Sequence, residues 1–150
     1  MKLTKYQCAH FLRTNAEQMI AVALCFVLQA AMLGCGPSES EPVDIESGDV
    51  CSFCQMGISQ PSFASEIIAD GKVYKFDDLA CLNAFKTKHR DTVHGTTYVM
   101  NYATKQWIRF EAATIVATDV ATPMGSGLVA FADAPRAQAF AKAHPPKKAM

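Results

Sequence analysis

Three sulfur atoms fall within six residues at Cys51-Ser52-Phe53-Cys54-Gln55-Met56, with Gly57 next in a chain of 150 residues. Thiolate and thioether are soft, polarisable donors that suit copper(I), an ion satisfied by few ligands. Thioether binds calcium or magnesium poorly and is unusual at zinc, so Met56 moves the reading from zinc toward copper. Methionine is also a common filler of irregular core gaps, and Met56 can be read that way too. The Cys51/Cys54 spacing admits three chemistries: a thiol–disulfide redox pair, half of a zinc site, or part of a copper(I) site. Zinc would call for a second Cys-x-x-Cys or a histidine pair to complete the shell, and the sequence has no second Cys-x-x-Cys. A thioredoxin-type pair would lie between a strand and a helix, whereas a polar stretch runs into this one.

Other segments offer donors to complete such a site. Pro123-Met124-Gly125-Ser126-Gly127 sets a methionine among glycines, which leave its side chain poorly covered. Cys81 sits among Leu79, Leu82 and Phe85 and reads first as a core thiol, second as a ligand. His94, beside Gly95, is the best spare histidine. The expected metal ligands are therefore Cys54, Met56, Cys51 and Met124, with Cys81 and His94 as further candidates. Asp77-Asp78 reads most simply as a helix-cap pair. No Ser/His/Asp or Cys/His constellation and no phosphate-cradling glycine loop is present, so the expectation is a binding protein and not an enzyme.

These residues must be positioned by what surrounds them. Residues 1–34 have a basic start (Lys2, Lys5, Arg13) and an apolar run from Met19 to Leu33 that is short for a membrane span of about 20 residues. That is the pattern of a signal peptide. Met32-Leu33-Gly34-Cys35 resembles a lipobox, which makes Cys35 the expected lipidated residue. The expected location is the membrane, anchored by lipid and facing the periplasm or cell exterior. Removal of 34 residues leaves 116, enough for one domain. Less three basic residues and one acid, the 14 of each become 11 and 13, a net charge of −2 without the clustered Lys/Arg of a nucleic-acid surface. Cys8 and Cys25 leave with the signal, so Cys51, Cys54 and Cys81 remain. Three is odd for an exported protein, and at least one thiol must stay unpaired.

Residues 36–48 are rich in Pro, Ser, Glu and Gly and read as a flexible tether of roughly 20 Å. The expected organisation is a signal peptide over 1–34, lipidated cysteine and tether over 35–49, a folded domain over 50–144, and a disordered tail over 145–150. Within the domain, 63–68 and 72–76 read as strands around an Asp70-Gly71 turn, and Asp77 or Asp78 caps a helix through Lys88. Two more strands, 96–102 and 106–110, flank Ala103-Thr104-Lys105, and 115–118 adds another. Leu128–Phe131 is then a strand and Asp133 caps a helix beginning Ala134-Pro135. An offset of 55 residues joins Phe76 to Phe131, Asp78 to Asp133, Phe85 to Phe140 and His89 to His144. The expected fold is α+β: two related strand–strand–helix halves, a mainly antiparallel sheet, and helices packed on one face.

On these motifs the chain resembles the NosL family of accessory lipoproteins, associated with copper delivery to nitrous oxide reductase. The resemblance rests on Cys54-Gln55-Met56 after Cys51, on the run from Gly71 to Asp78 leading to Cys81, and on the run from Pro123 to Phe131. It spans about 50–143. It implies a lipid-anchored copper(I) binder of two related halves, with Cys54 and Met56 as the foremost ligands and Met124 in a matching glycine-flanked position. Many relatives have glycine where this chain has Gln55. The implied function is a copper(I) metallochaperone serving nitrous oxide reductase or another exported copper enzyme, with a copper transporter as a further partner. The alternative is a thiol–disulfide redox protein using Cys51 and Cys54.

Overall fold

The computed structural model describes residues 41–146. The expected signal peptide, Cys35 with its expected lipid, the start of the expected tether and the last four residues lie outside the described residues.

Strand β1 (Ser65–Ala69) turns through Asp70 and Gly71, both at positive φ, into β2 (Lys72–Phe76). A two-residue turn of this kind needs left-handed backbone at both positions, which Asp and Gly supply at low cost. Helix α1 (Leu79–Lys88) follows, and β3 (Thr96–Met100) and β4 (Trp107–Arg109) complete a four-stranded antiparallel sheet ordered β2-β1-β3-β4. Strand β5 (Thr114–Ala117) pairs with β6 (Leu128–Phe131) in a separate two-stranded antiparallel sheet, and helix α2 (Ala134–Ala143) closes the domain. The fold is α+β as expected, with its strands divided between two sheets. A single bridge from Asn101 to Ala130, reinforced by the Tyr102 N–H donating to the Ala130 carbonyl at 2.9 Å, ties them together. Phe63 ends a 3-10 turn over Pro61–Phe63, so β1 starts two residues later than the apolar pattern suggested. Among the described residues no helix is long and apolar enough to cross a membrane.

The 55-residue offset is exact in the helices, 79–88 and 134–143. Asp78 caps α1 by accepting from the Ala80 N–H, and Asp133 caps α2 by accepting from the Arg136 N–H. His89 and His144 end them, each stacked 4.4 Å from the phenylalanine one turn back. Phe76 packs on Phe85 at 5.0 Å and Phe131 on Phe140 at 5.3 Å. Such rings are worth about 1.5–3 kcal/mol each when fully buried, so each half carries its own aromatic anchor between strand and helix.

The larger core joins Ile67, Phe76, Leu79, Leu82, Phe85 and Val99 with Cys51 and Cys81. Alternation along β1 sends Glu66 to the opposite face from Ile67, yet Glu66 is buried as well. It is covered from the stretch read as tether. The Val43 N–H donates to Glu66 Oε1 at 2.9 Å, and Ile45 packs against the core. Lys75 Nζ donates to the Asp44 carbonyl at 2.7 Å and pairs with Asp49 at 2.6 Å. The expected tether is thus pinned from Val43 onward. The Val43 N–H, the Ile45 side chain and the Lys75 ammonium account for this.

Candidate metal centre

Residues 49–58 form a closed loop whose neck is a short antiparallel pairing. Val50 bridges Gly57, the Ile58 N–H donates to the Asp49 carbonyl, and the Cys51 N–H donates to the Met56 carbonyl at 2.8 Å. The Ser52 N–H donates to the Lys75 carbonyl at 2.7 Å, which hangs the loop on the outer edge of β2. To close the ring the chain turns through Gln55 at φ 64, a left-handed conformation that glycine adopts without penalty. Here a glutamine adopts it and adds its own bond from Nε2 to the Cys51 carbonyl at 3.3 Å.

Two more residues reach this loop from the first half of the fold. Asp77 lies between β2 and the cap of α1, and Cys81 sits in the first turn of α1. The sulfurs of Cys51, Cys54 and Cys81 and a carboxylate oxygen of Asp77 all lie within 4.8 Å of one another. The Cys54 thiol faces both Asp77 oxygens at 3.7 Å. Cys51, Asp77 and Cys81 are 0, 1 and 2 % exposed, and only Cys54 reaches the surface. None of these cysteines is in a disulfide.

Burial pushes the Cys51 thiol up from its ordinary range, while the N–H groups of Cys54, Asp77 and Phe53 work the other way, favouring its thiolate. Burial, then the Asp77 carboxyl, likewise pushes the Cys81 thiol up. Both deep thiols therefore favour their protonated forms, and a metal ion bound there would have to displace those protons.

Met124 arrives through the long connection between β5 and β6. Asp78 does more than cap α1: its carboxylate accepts the Met124 N–H at 2.9 Å and the Ser126 hydroxyl at 2.6 Å. Burial alone would raise the Asp78 carboxyl, but these donors, with Thr122 and Ala80, hold it below the usual carboxylate range. Gly127 turns with φ 65 where an added Cβ would stand 2.3 Å from the Thr118 carbonyl, so the loop closes only with glycine there. Met124 and Met56 remain 44 and 47 % exposed. Both are thus surface thioethers and not core filling.

Of the expected ligands, Cys51 and Cys54 are brought together and Cys81 joins them. Met56 shares their loop, and Met124 is held to the residue beside Asp77. His94 lies beyond the far end of α1, in a cleft with Lys86, Arg90 and Glu111. A ten-residue helix is about 15 Å long, so His94 stands apart from the cluster. Asp77 is the member that sequence reading set aside as a cap. Its four-residue spacing from Cys81 was the available signal. The 55-residue repeat was another: Asp133 keeps the cap, but Ala132 and Arg136 replace Asp77 and Cys81.

An α+β module built of two hairpin–helix units, with a thiol-rich cluster in the first, is the class that fold and site define. The chain belongs to the NosL family, whose model matches residues 42–147. The crystal structure of the copper chaperone NosL from Shewanella denitrificans shares the fold, with a TM-score of 0.64 over 71 % of this chain and 90 % of that one, at 21 % identity. No curated protein matches the chain.

Proposed function

We propose that this chain is an exported, lipid-anchored copper(I) chaperone. The observation that carries the reading is the convergence of three thiols, one of them in the same loop as the exposed Met56. In this account Cys54, with Met56, Met124 and Cys51, takes up the ion, and Cys81 stands behind them. Soft sulfur donors hold cuprous ion against water, and thioethers keep it exchangeable. Because Cys54 and both methionines are accessible, a partner's sulfur or imidazole can replace them one at a time. Family membership, and the fold shared with the copper chaperone from Shewanella denitrificans, support copper as cargo. Cys35 would carry the lipid, placing the module at the membrane face of the periplasm or cell exterior. The acceptor would be nitrous oxide reductase or another exported copper enzyme, and a copper transporter would serve as source.

The proximity of Cys51, Cys54 and Cys81 also favours a second reading, a thiol–disulfide protein. Anaerobic purification, metal analysis and competition against a cuprous chelator separate the two. The chaperone reading expects one tightly held cuprous ion, and Cys54→Ser weakens it by about 100-fold, roughly 3 kcal/mol, while Met100→Leu changes little. Equal affinities for both variants would remove the site assignment. A cycling disulfide that reduces insulin without metal would favour the redox reading.

A further inference from the structure

The closed loop of residues 49–58 turns outward the kind of side chain that folding normally covers. Val50, Phe53 and Met56 are 49, 41 and 47 % exposed. Phe53 is the one exposed aromatic among the described residues, and every other aromatic there is partly or fully buried. The loop backbone fixes this arrangement. The Phe53 N–H turns toward the buried Cys51 sulfur, the Ser52 N–H is held by the Lys75 carbonyl, and the Gln55 N–H donates to the Cys51 carbonyl at 3.0 Å. With its main chain anchored on both sides and Cys51 filling the interior, the Phe53 ring is left to solvent. Exposed apolar groups gathered on one short loop mark an interaction site. No Asp, Glu, Lys or Arg occurs from Val50 to Ser65, and Asp49 at the neck is already paired with Lys75. A contact made through this loop is therefore apolar and uncharged.

Cys54, the thiol that reaches the surface, directly follows Phe53. An ion held by Cys54 changes hands only when a donor atom of the receiver comes within bonding distance. The receiver's surface must therefore meet whatever surrounds Cys54. We infer that Phe53, with Val50 and Met56, is the docking anchor for a copper-accepting protein whose sulfur or imidazole site opens through an apolar, uncharged rim. The inference rests on the proposed function and names the kind of partner that its site serves. A membrane seated on the loop would cover Cys54 and bar the receiver. A second copy of this chain would present the same site and carry the ion nowhere. Aromatic side chains dominate the binding energy at interface centres, so Phe53 supplies the adhesion while Cys54 supplies the exchange. Charge gives long-range steering, and a loop without charges forgoes it. Docking here depends on apolar fit, and salt leaves it intact.

The test loads the full chain with cuprous ion in lipid nanodiscs, free of oxygen. Transfer is followed to metal-depleted nitrous oxide reductase as the protein acceptor, and to a small cuprous chelator that needs no docking. Phe53→Ala should keep both the cuprous affinity and the rate to the chelator. It should raise the enzyme concentration for half-maximal transfer by at least about tenfold, with the maximal rate kept. Val50→Ser should shift it the same way by about threefold. A tenfold rise in salt should change the wild-type value by less than about twofold. An unchanged concentration dependence in Phe53→Ala, a steep salt dependence, or loaded wild type that passes no copper to the enzyme would overturn the inference and leave copper binding standing. A chain that binds no cuprous ion would instead remove the chaperone reading itself. Two further results would also overturn the inference by giving the loop another occupant. One is wild-type self-association that Phe53→Ala abolishes. The other is Phe53→Trp emission that is already blue-shifted in nanodiscs before enzyme is added.

Discussion

The first hairpin–helix unit, Ser65–Lys88, and the second, Thr114–Ala143, set the same side chains at the same points and use them for different ends. Each has a buried phenylalanine on its last strand, an aspartate cap, a phenylalanine on the helix and a histidine closing it. The difference lies in what surrounds that frame. The first unit joins its strands by a two-residue turn and adds Asp77, Cys81 and the loop of Cys51 and Cys54. The second has Ala132 and Arg136 at the matching positions and places ten residues between its strands. That long connection carries Met124 back to the first unit, where Asp78 receives it. The repeated skeleton thus supplies stability twice, while the thiol cluster gathers on one copy and the other sends a loop to its helix cap.

If the skeleton is repeated, matched substitutions in the aromatic anchors should cost alike. Phe76→Ala and Phe131→Ala are each expected to lose about 3–5 kcal/mol in chemical denaturation. A loss confined to Phe76 would mean that the second unit is not a counterpart but an appendage. The caps should differ more. Asp78→Ala removes a cap bond, orphans the Met124 N–H and leaves the Ser126 hydroxyl only Thr122 and the Leu128 N–H as partners, and should cost about 2–3 kcal/mol. It should weaken cuprous binding as well. Asp133→Ala removes one exposed cap bond and should cost about 1 kcal/mol. Equal costs for the two caps would break the claim that Asp78 couples the units.

The two units also differ in their response to pH. Burial raises the Glu66 carboxyl above its ordinary 4.5, with Lys75 opposing and Asp44 and Asp49 adding to the rise. One of its oxygens, Oε2, has no partner. The native state therefore keeps this proton longer than the unfolded chain does. Its contribution to stability is full below about 4.5 and is lost as pH rises through the native value. Glu66→Gln keeps an acceptor for the Val43 N–H and removes the ionisation, so its melting temperature should fall less as pH rises above 4.5 than that of the wild type. Parallel curves for the two proteins would show that Glu66 does not control this region. The second unit has no acidic residue on its strands, which makes the effect specific to the first.

Much of this architecture was legible because it is written locally. Asp70-Gly71, Asp133 before Ala134-Pro135, and the recurrence of Phe, Asp and His at 55 residues are all short-range or periodic signals. The sulfur-bearing residues of the Cys51–Met56 loop were visible for the same reason. What stayed hidden depends on contacts between distant stretches. Asp77 looked like a cap because its neighbour is one, and only the folded chain shows it facing Cys54 across 23 residues. Cys81 looked like core packing, which agrees with its burial, while its position also brings it to the other thiols. The pinning of Val43 to Asp49 was missed because composition reports what a segment can bury on its own, not what a neighbouring sheet offers it.

The central claim is that these distant stretches assemble one sulfur environment for a monovalent ion. X-ray absorption at the copper edge of the cuprous-loaded chain tests it most directly, with Cys54→Ser beside the wild type. The account predicts a shell of sulfur neighbours in the wild type and little bound copper in the variant. A nitrogen- or oxygen-dominated shell, or a sulfur shell unchanged by Cys54→Ser, would contradict it.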